Sequence, residues 1–540
     1  MINKDLFARE ALAQIPKILT LLDRNPHSPT YGCFDRNFWH YKIIDFPSGM
    51  AQEFVYPLAL IYDTNIPDNP YYRQPVIKDW VEAGIFYAAR SAHQDGSCDD
   101  YFPFERASGA AAFSLLACIE SYIHLDIENN LKNKNIDNKT ILYFFTKRAD
   151  WLAHHHESGQ LTNHQALIVL CLSRLSQLLQ TSRWDKAKVQ RLERVLSWQN
   201  DEGWFIEYEG CDPGYHTLTI SCLARIYQLN SDIRIKEALI KAVKLAGEFV
   251  HPDGSYGGEY TSRNTYNFFP HGFELIGRWM PEALQINQRF LQGLKNGLSP
   301  CYADDHIIGH HTWNYLLAWR DFVDERPFLN PNQNHSIWLK NAKILIDRRE
   351  NTQLYLALNK GGVFKLFRNN KLVASDTQIS LQVQHQGKIK NAVGHLVAPY
   401  KVNISENEIT ISGELGWAKQ KQMTPLNLLI LRIVMLTVGR FFPNLIRKLL
   451  QRILITGKND APFRFMRRLR WENGKWHITD KLEAQTWDNV IAAGIGCDQT
   501  SIYVVMSRTF QTSQLQPWLD LTPQIKKLAP SQALKIEREL

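Results

Sequence analysis

Four polar turns, each containing glycine, recur along the first 300 residues, and each separates one helix-like stretch from the next. Their leading glycines, Gly96, Gly159, Gly203 and Gly254, are 44 to 63 residues apart. A repeat near this length with two helices per unit is typical of stacked helical hairpins. If the hairpins close into a ring, the four turns lie on one rim. The rim is rich in His, Tyr, Asn, Arg and Glu, as a cleft for a polar substrate requires.

Hydrophobic periodicity predicts two helices in each of six consecutive hairpins. The second helix of each pair is apolar or small nearly all round, which suits an inner ring buried on every side, whereas the first is amphipathic. The sequence therefore predicts an N-terminal (α/α)6 toroid over residues 1–325, a catalytic domain. The predicted pairs are 5–24 with 48–63, 76–92 with 107–124, 140–154 with 162–179, 183–198 with 214–229, 233–250 with 265–279, and 282–296 with 309–322.

A second domain of different character follows a Pro- and Asn-rich linker at 326–336. Short alternating runs such as QLYLAL, GVFKLF, QISLQVQH, ENEITISG, FRFMRRLRW, KWHIT and IYVVMSR predict strands, several of them joined by Asn-Gly or Asn-Asn turns. We expect an antiparallel β-sandwich over 337–520 and a C-terminal tail over 521–540. The predicted fold class is thus a multidomain α+β protein, a toroid followed by a sandwich.

An apolar and basic segment, residues 423–458, interrupts the strands of the second domain. Arg432 breaks its longest apolar run, which is too short for the roughly 20 residues that span a bilayer. Two amphipathic helices hinged near Pro443 fit the pattern. Their composition is typical of helices in a membrane interface, so an anionic membrane surface is a predicted partner of residues 424–456. The alternative is a helical hairpin packed on the sandwich with its basic residues solvated.

The two domains carry opposite charge. Residues 1–330 contain 32 Lys and Arg against 39 Asp and Glu, a balance of −7, while residues 331–540 contain 30 against 15, a balance of +15. Eleven basic residues and two acids between Arg432 and Lys475 supply +9 of this excess. We expect no nucleic-acid partner, and the basic segment directs attention to a membrane surface.

Cysteine spacing and the start of the chain both favour a cytoplasmic protein, held peripherally at the inner face of the membrane if the insert binds there. The eight cysteines have no close pair, which fits reduced thiols. The first residues carry acids and a proline where a secretion signal needs an apolar core.

No cofactor or metal is predicted. The HHHE run at 154–157 is interpreted as a solvated loop, and Asp305, His306 and His310 are interpreted as residues that stabilise the end of a helix.

Two motifs on the rim resemble the heparinase II/III-like polysaccharide lyases, which join an (α/α) toroid to a β-sandwich. TNHQA places Asn163 and His164 where these lyases open an inner helix with an Asn-His pair. GCDPGYH places Tyr215 some fifty residues later, as the family's catalytic tyrosine is placed. The resemblance implies β-elimination on a uronate-containing glycan. It implies that Asn163 binds the carboxylate in its acidic form and that Tyr215, helped by His164 or His216, exchanges protons at C5 and at the leaving oxygen.

The chemistry of β-elimination explains, independently of the resemblance, why these residue types would be needed. A proton next to a carboxylate is weakly acidic until donors neutralise the carboxylate's charge. A tyrosine then removes and returns a proton if nearby cations or donors lower its pKa. Arg106 and Arg263 are predicted to do this and to bind anionic sugars. The predicted substrate-binding residues are Glu105, Arg106, Arg263, Asn264, Tyr266 and His271, the last four forming the densest polar cluster on the rim.

The sequence departs from the family in one motif and leaves other functions open. The Gly-His-x-His signature that usually starts the sandwich is absent, and only isolated His385 and His395 occur in that region. A glycoside hydrolase on the same toroid is one alternative, since Glu105, Glu207, Glu209 and Glu259 offer paired carboxylates. A glycan-binding protein without catalysis is another. A terpene-cyclase-like barrel is disfavoured, because the DxDD motif is missing and a β-domain follows.

Overall fold

The computed structural model describes residues 3–130, 138–207, 210–302, 307–329, 334–418, 423–454, 458–499 and 509–540. Three features predicted from the sequence lie outside these ranges. They are the strand at 502–508, the acid–histidine pair Asp305 and His306, and Glu209.

The N-terminal domain is helical, and its helices follow the predicted hairpins closely. Helix α2 contains Pro16 in its first turn, where proline's missing N–H costs no hydrogen bond. The helices are α1 Asp5–Leu12, α2 Ile15–Leu21, α3 Arg36–Trp39, α4 Val55–Asp63, α5 Pro75–Ser91, α6 Ser108–His124, α7 Ile127–Asn130, α8 Asn138–His154, α9 Thr162–Leu179, α10 Asp185–Ser197, α11 Pro213–Asn230, α12 Ile233–Glu248, α13 His271–Gly277, α14 Glu282–Lys295 and α15 Ile308–Arg320.

The inner helices close a ring, which confirms the predicted (α/α)6 toroid. In order, α4, α6, α9, α11, α13 and α15 each contact the next, and α15 contacts α4. Helix α6 is buried from Ser108 to Tyr122, because its small and apolar residues are surrounded by neighbours. By contrast, α10 buries only one stripe, Arg191, Leu192 and Val195, and belongs to the outer ring. The turns into the inner helices α6, α9 and α11 therefore emerge at the same rim.

The C-terminal domain is built from two antiparallel sheets. The smaller sheet has the strand order β4-β5-β6-β7-β8, and the larger has the order β17-β15-β9-β10-β12-β13-β14-β18, with β11 also paired to β12. Their strands are β4 His335–Leu339, β5 Ile344–Arg349, β6 Thr352–Ala357, β7 Val363–Arg368, β8 Lys371–Asp376, β9 Ile379–His385, β10 Lys388–Val393, β11 Lys401–Ile404, β12 Glu408–Trp417, β13 Asp460–Glu472, β14 Lys475–Ala484, β15 Val490–Ile495, β17 Leu519–Asp520 and β18 Leu534–Glu539.

The two sheets share one core and form the predicted sandwich. Leu354, Leu356 and Phe364 of the smaller sheet pack with Leu381 and Phe465 of the larger one. Short ribbons join β1 Ile206–Glu207 to β2 Gly210–Cys211, and β3 Cys301–Tyr302 to β16 Thr509–Phe510.

Two predicted domain boundaries need correction. The last twenty residues do not form a tail: helix α18 Thr522–Ile525 precedes β18, which pairs with β14 at the edge of the larger sheet. The alternating sequence LKIERE gives β18 one half-buried face, with Leu534 in the sandwich core. At the other boundary, β4 starts at His335, inside the predicted linker.

The helical insert forms the two predicted helices, and both helices make polar contacts with the toroid. Helix α16 spans Pro425–Leu436, and α17 spans Pro443–Leu454 and begins at the predicted hinge. Arg432 pairs with Asp45 of the toroid at 3.1 Å, and the Asn444 Nδ2 donates to the His156 carbonyl at 3.2 Å. The toroid is thus a partner of the hairpin that the alternative did not include. Among the described residues, no helix has the length and apolarity needed to cross a membrane.

A buried cluster of two arginines and two aspartates lies at the centre of the sandwich. The Arg467 side chain is 0% exposed, and its Nη1 donates to Asp376 Oδ1 at 2.8 Å while its Nε donates to Asp480 Oδ1 at 2.6 Å. Its Nη1 also donates to the Gly362 carbonyl at 2.8 Å. Arg538 also pairs with both carboxylates, through Nη1 to Asp376 Oδ2 and through Nη2 to Asp480 Oδ2, each at 2.7 Å. Because these carboxylates have left water, they are compensated by two guanidiniums, of which Arg467 is the fully buried one.

We predict that Arg467→Met lowers the free energy of unfolding of the sandwich by about 3 kcal/mol, because two buried carboxylates lose the buried one of their two cations and keep only Arg538. The measurement is denaturant unfolding followed by tryptophan fluorescence. Arg464→Met on the same strand is the matched control, since Arg464 is 76% exposed, and we expect a change within about 0.5 kcal/mol. Equal losses in the two variants would contradict a special role for the buried guanidinium.

Candidate active site

Three rim turns are locked together where α9 and α11 begin. The Thr162 hydroxyl donates to the Ile206 carbonyl at 2.6 Å, which joins the first turn to the second. The Ser262 N–H donates to the Cys211 carbonyl at 3.0 Å, and the Thr265 hydroxyl donates to Asp212 Oδ1 at 2.6 Å. These bonds bring parts of the chain some fifty residues apart into one surface.

Asn163 and Glu207 form a buried pair at the base of this surface. Both the Asn163 N–H and its Nδ2 donate to Glu207 Oε1, each at 2.8 Å. Both residues are 0% exposed, and within the described part of the chain neither Asn163 Oδ1 nor Glu207 Oε2 has a hydrogen-bond partner. Burial raises the pKa of Glu207 to about 7, although the charge of Arg263 opposes it. The pair therefore offers an amide and a half-protonated carboxyl near neutral pH.

Tyr215 lies under a guanidinium whose charge also acts on Glu207. The Arg263 Cζ is 4.2 Å from the centre of the Tyr215 ring, a cation–π contact. Asp212 caps α11 by accepting from the Tyr215 N–H at 2.9 Å, which fixes the tyrosine in the first turn of the helix. At Gly214 a Cβ would lie 2.2 Å from Thr265 Oγ1, so only glycine lets the two turns approach.

The smaller sheet holds the turn that carries Arg263. Buried Lys360 donates to the carbonyls of Glu259 and Thr261 at 3.0 and 2.7 Å, and to the Asn264 side chain. Lys365 of β7 donates to the Tyr266 hydroxyl at 2.8 Å. Burial lowers the pKa of Lys360 to about 7. The sandwich therefore contributes to the site by fixing a rim turn.

A second cluster adjoins the first through His164. The His164 Nδ1 is 2.8 Å from Glu157 Oε2, and Gly109 makes room for its ring, since a Cβ there would lie 2.6 Å from His164 Cε1. Arg447 of the insert bonds Glu157 and, through Nη2 at 3.1 Å, Glu105 Oε1. One guanidinium from α17 thus bridges two rim carboxylates.

The two bridged carboxyls have opposite pKa shifts. Burial raises the pKa of Glu105 to about 7 even though Arg447 opposes it. Burial also acts to raise the pKa of Glu157, but the charges of Arg447 and His164 outweigh it and hold the pKa at about 2. A proton-holding and an ionised carboxyl side by side are what acid–base chemistry requires.

Several residues predicted to bind substrate have other contacts. Arg106 bonds Asp95 within its own turn, and Asn264 and Tyr266 are buried against the two lysines of the smaller sheet.

His216, which was predicted to be catalytic, is 1% exposed, with its Nε2 2.9 Å from the Ala242 carbonyl and its Nδ1 facing the Phe205 N–H at 3.4 Å. Its catalytic role is therefore not supported, because backbone groups engage both ring nitrogens.

His271 lies away from the cleft. Helix α13 is only seven residues long, so the chain descends the ring before the helix begins. The His271 Nε2 is 2.8 Å from Asp321 Oδ2 at the end of α15. Both line a cavity of about 240 Å³ at the opposite end of the ring, with Glu120, Arg174 and Arg225. The predicted grouping of His271 with Arg263 is wrong for this reason.

The remaining histidine predictions have clear outcomes. The run at 154–157 is not wholly solvated, because the Glu157 side chain is only 2% exposed. His310 is buried against Glu53 at 3.1 Å, inside the ring. His385 packs on Trp417, and His395 Nδ1 is 3.2 Å from the Thr377 carbonyl, so both are occupied within the sandwich. The described residues contain no group of three or more metal-ligating side chains.

Comparison with known proteins identifies the fold. No protein-family model matches the sequence, and no curated relative matches it. The structure of Paenibacillus xanthan lyase is similar, with a TM-score of 0.52 at 10% identity over 91% of this chain and 46% of that one. The Streptomyces coelicolor chondroitin AC lyase in complex with chondroitin sulphate gives 0.52 at 10% identity over 92% and 68%.

Heparinase III is similar at a TM-score of 0.49 and 10% identity, over 92% of this chain and 81% of that one. On the matches to xanthan lyase and chondroitin AC lyase, the chain has the toroid-plus-sandwich fold of polysaccharide lyases, but it spans under half the length of the xanthan lyase. At this identity the likeness establishes the fold alone.

We predict that Glu207→Gln stabilises the protein above pH 7 and gives no gain near pH 4. In the folded protein the pKa of Glu207 is about 7, whereas in the unfolded chain it is the ordinary 4.5. As the pH rises from 4.5 to 7, the unfolded chain ionises more readily than the folded protein, and the free energy of unfolding of the wild type falls. The gain at pH 8 is roughly 3 kcal/mol at most. Thermal unfolding across pH 4 to 8 measures it. Exposed Glu193→Gln controls for removing one negative charge, and a destabilised Glu207→Gln at pH 8 would contradict the prediction.

Proposed function

We propose that the protein is a polysaccharide lyase-like enzyme that cleaves a uronate-containing glycan by β-elimination. One observation carries the proposal: Arg263 lies 4.2 Å from the centre of the Tyr215 ring, and its charge also acts on Glu207, which bonds Asn163. Three different rim turns supply these four residues. The arrangement combines donors for a carboxylate, a group able to transfer a proton and a fixed cation. The shared fold of xanthan lyase and chondroitin AC lyase agrees with a polysaccharide substrate.

The substrate carboxylate would bind against the Asn163–Glu207 pair. The Asn163 Nδ2 carries two hydrogens, and Glu207 accepts only one of them. Glu207 in its protonated form supplies a second donor, since its pKa of about 7 leaves it half-protonated at neutral pH. Two donors on one carboxylate spread its negative charge and make the neighbouring C5 proton more acidic.

Tyr215 would then transfer the proton. Its phenolate removes the C5 proton, the electron pair forms the C4–C5 double bond, and the C4–O bond to the leaving sugar breaks. The tyrosine returns the proton to the leaving oxygen, so that the atoms and charges balance and no water is consumed. Arg263, 4.2 Å from the ring, stabilises the negative charge on the phenolate. His164 on the neighbouring turn, with Glu157 on its Nδ1, assists at the leaving oxygen.

A glycoside hydrolase is the second candidate, and the Glu105–Glu157 pair favours it. The pKa of Glu105 is raised to about 7 and that of Glu157 is lowered to about 2, as the acid and the base of a hydrolase would be. Against it, the same Arg447 guanidinium occupies both carboxyls. A glycan-binding protein without catalysis would show neither activity.

Incubation with a panel of uronate polymers, including chondroitin sulphate, should generate an ultraviolet-absorbing unsaturated product. We predict that Tyr215→Phe reduces the rate of product formation at least about 10²-fold, because the proton transfer by the phenol is lost. Tyr256→Phe is the matched control, a buried tyrosine packed on Phe268, and should keep the activity. Reducing-end release that survives Tyr215→Phe, without the ultraviolet product, would assign a hydrolase instead.

We further propose a role in surface polysaccharide metabolism at the inner face of a membrane, with residues 424–456 as the membrane contact. Twelve large apolar side chains in the insert are at least 45% exposed, an area larger than soluble proteins usually leave uncovered. Arg440 and Lys448 are exposed among them and would meet anionic headgroups. The twelve are Met423, Leu426, Leu428, Leu429, Ile430, Ile433, Leu436, Val438, Phe441, Phe442, Leu445 and Leu449.

We predict that the protein sediments with anionic but not with neutral liposomes. Each exposed Lys or Arg contributes on the order of 1 kcal/mol near an anionic leaflet, and salt screens this attraction over about 10 Å at 0.1 M. Deleting 424–456 should abolish binding, and Arg440→Gln with Lys448→Gln should weaken it several-fold. Arg464→Gln with Arg470→Gln, exposed on the sheet, is the control of equal charge. Failure of the intact protein to sediment with anionic liposomes at low salt would contradict this proposal.

A further inference from the structure

The helical insert has two faces with different partners, and one of them belongs to the cleft. Its inner face is polar and bonds the toroid at separate points, through Arg432 to Asp45, Asn444 to the His156 carbonyl, and Arg447 to Glu105 and Glu157. Because Glu157 also bonds His164, the hairpin forms a wall of the candidate active site. Its outer face is the exposed apolar surface of α16 and α17.

The insert is one helix thick at Arg447, which sets the distance between its two faces. A helix with its side chains is about 10 Å across. Leu445 and Leu449 of α17 are 65% and 53% exposed, while Arg447, between them in sequence, is turned to the rim with 19% of its side chain exposed. A surface that covers these leucines therefore lies about one helix diameter from Glu105 and Glu157.

A membrane is the occupant that the outer face fits best. The face combines many exposed apolar side chains with exposed Arg440 and Lys448, and residues 424–456 contain five basic residues and no acid. Apolar side chains with basic residues at their edge match the acyl and headgroup layers of an anionic leaflet. If this face binds a bilayer, the cleft opens within about one Debye length, 10 Å at 0.1 M salt, of its negative surface.

That placement selects the form of the substrate. A free uronate polymer is a polyanion, and an anionic leaflet at this distance repels it. A glycan covalently joined to a membrane lipid does not diffuse in against that field, since its anchor already holds it at the surface at high effective concentration. Resting on the proposed lyase function, we infer that the substrate is a lipid-linked uronate glycan, cleaved while its anchor remains in the membrane that binds the insert.

The test compares one chondroitin sulphate oligosaccharide in two forms, free in solution and conjugated to a phospholipid in anionic vesicles. The ultraviolet-absorbing product is followed for both. We expect kcat/KM to be at least about tenfold higher for the vesicle-bound form, because the anchor and the insert concentrate glycan and enzyme on one surface. The other uronate oligosaccharides of the panel are used in the same two forms.

Leu445→Ser with Leu449→Ser removes apolar contact from the outer face. This variant should keep the rate on the free oligosaccharide and lose the vesicle preference. Val189→Ser with Ile233→Ser is the matched control, two exposed apolar residues of the outer helices α10 and α12, and should keep both rates. Equal kcat/KM for free and anchored glycan in the intact protein would overturn the inference and leave the lyase proposal standing. Absence of product from every glycan in both forms would contradict the lyase proposal, and the inference would fall with it.

Discussion

The structure depends on a ring of inner helices that are buried on every side. Such helices cannot place polar side chains outward, and the carboxyl of Glu53 inside the ring is paired with His310 at 3.1 Å and with the Trp313 Nε1 at 2.6 Å. Other polar side chains collect at the ends of the ring. The rim gathers Asn163, Glu207 and Tyr215 because the turns into α9 and α11 both end there.

The sandwich completes the rim by fixing a turn that the ring alone leaves long. The chain between α12 and α13 is 22 residues, and its backbone carbonyls need donors once the smaller sheet covers them. Lys360 supplies three hydrogen bonds from one ammonium, and Lys365 pairs with Glu259 at 3.0 Å. The cost of burying two lysines is offset by these acceptors, and the result is an Arg263 held against Tyr215.

Local sequence patterns account for the fold and for half of the site. The periods of the helices and strands are local, so the toroid and the sandwich follow from them, and Asn163 and Tyr215 follow from the turns that start their helices. Arg447 could not be found this way, because its partners Glu157 and Glu105 are about 290 and 340 residues earlier in the chain. Glu207 carried no signal beyond being a rim acid. The predicted position of His271 was wrong because the composition of a turn does not show how far below the rim the next helix begins.

The acidic charge of the toroid and the basic charge of the second domain meet at this rim. Glu105, Glu157 and Glu207 alone would make a cleft that repels an anionic sugar. Arg447 arrives from the second domain and neutralises the first two, while Arg263 faces the third. Four cationic side chains of the insert are thus divided by role: Arg432 and Arg447 turn inward to carboxylates, and Arg440 and Lys448 stay exposed among apolar residues. The basic segment of the sequence therefore contributes cations to two different surfaces of the folded protein. Helix α17 carries both: Arg447 on its inner side contacts the carboxylates of the cleft, and Lys448 is exposed on its outer side.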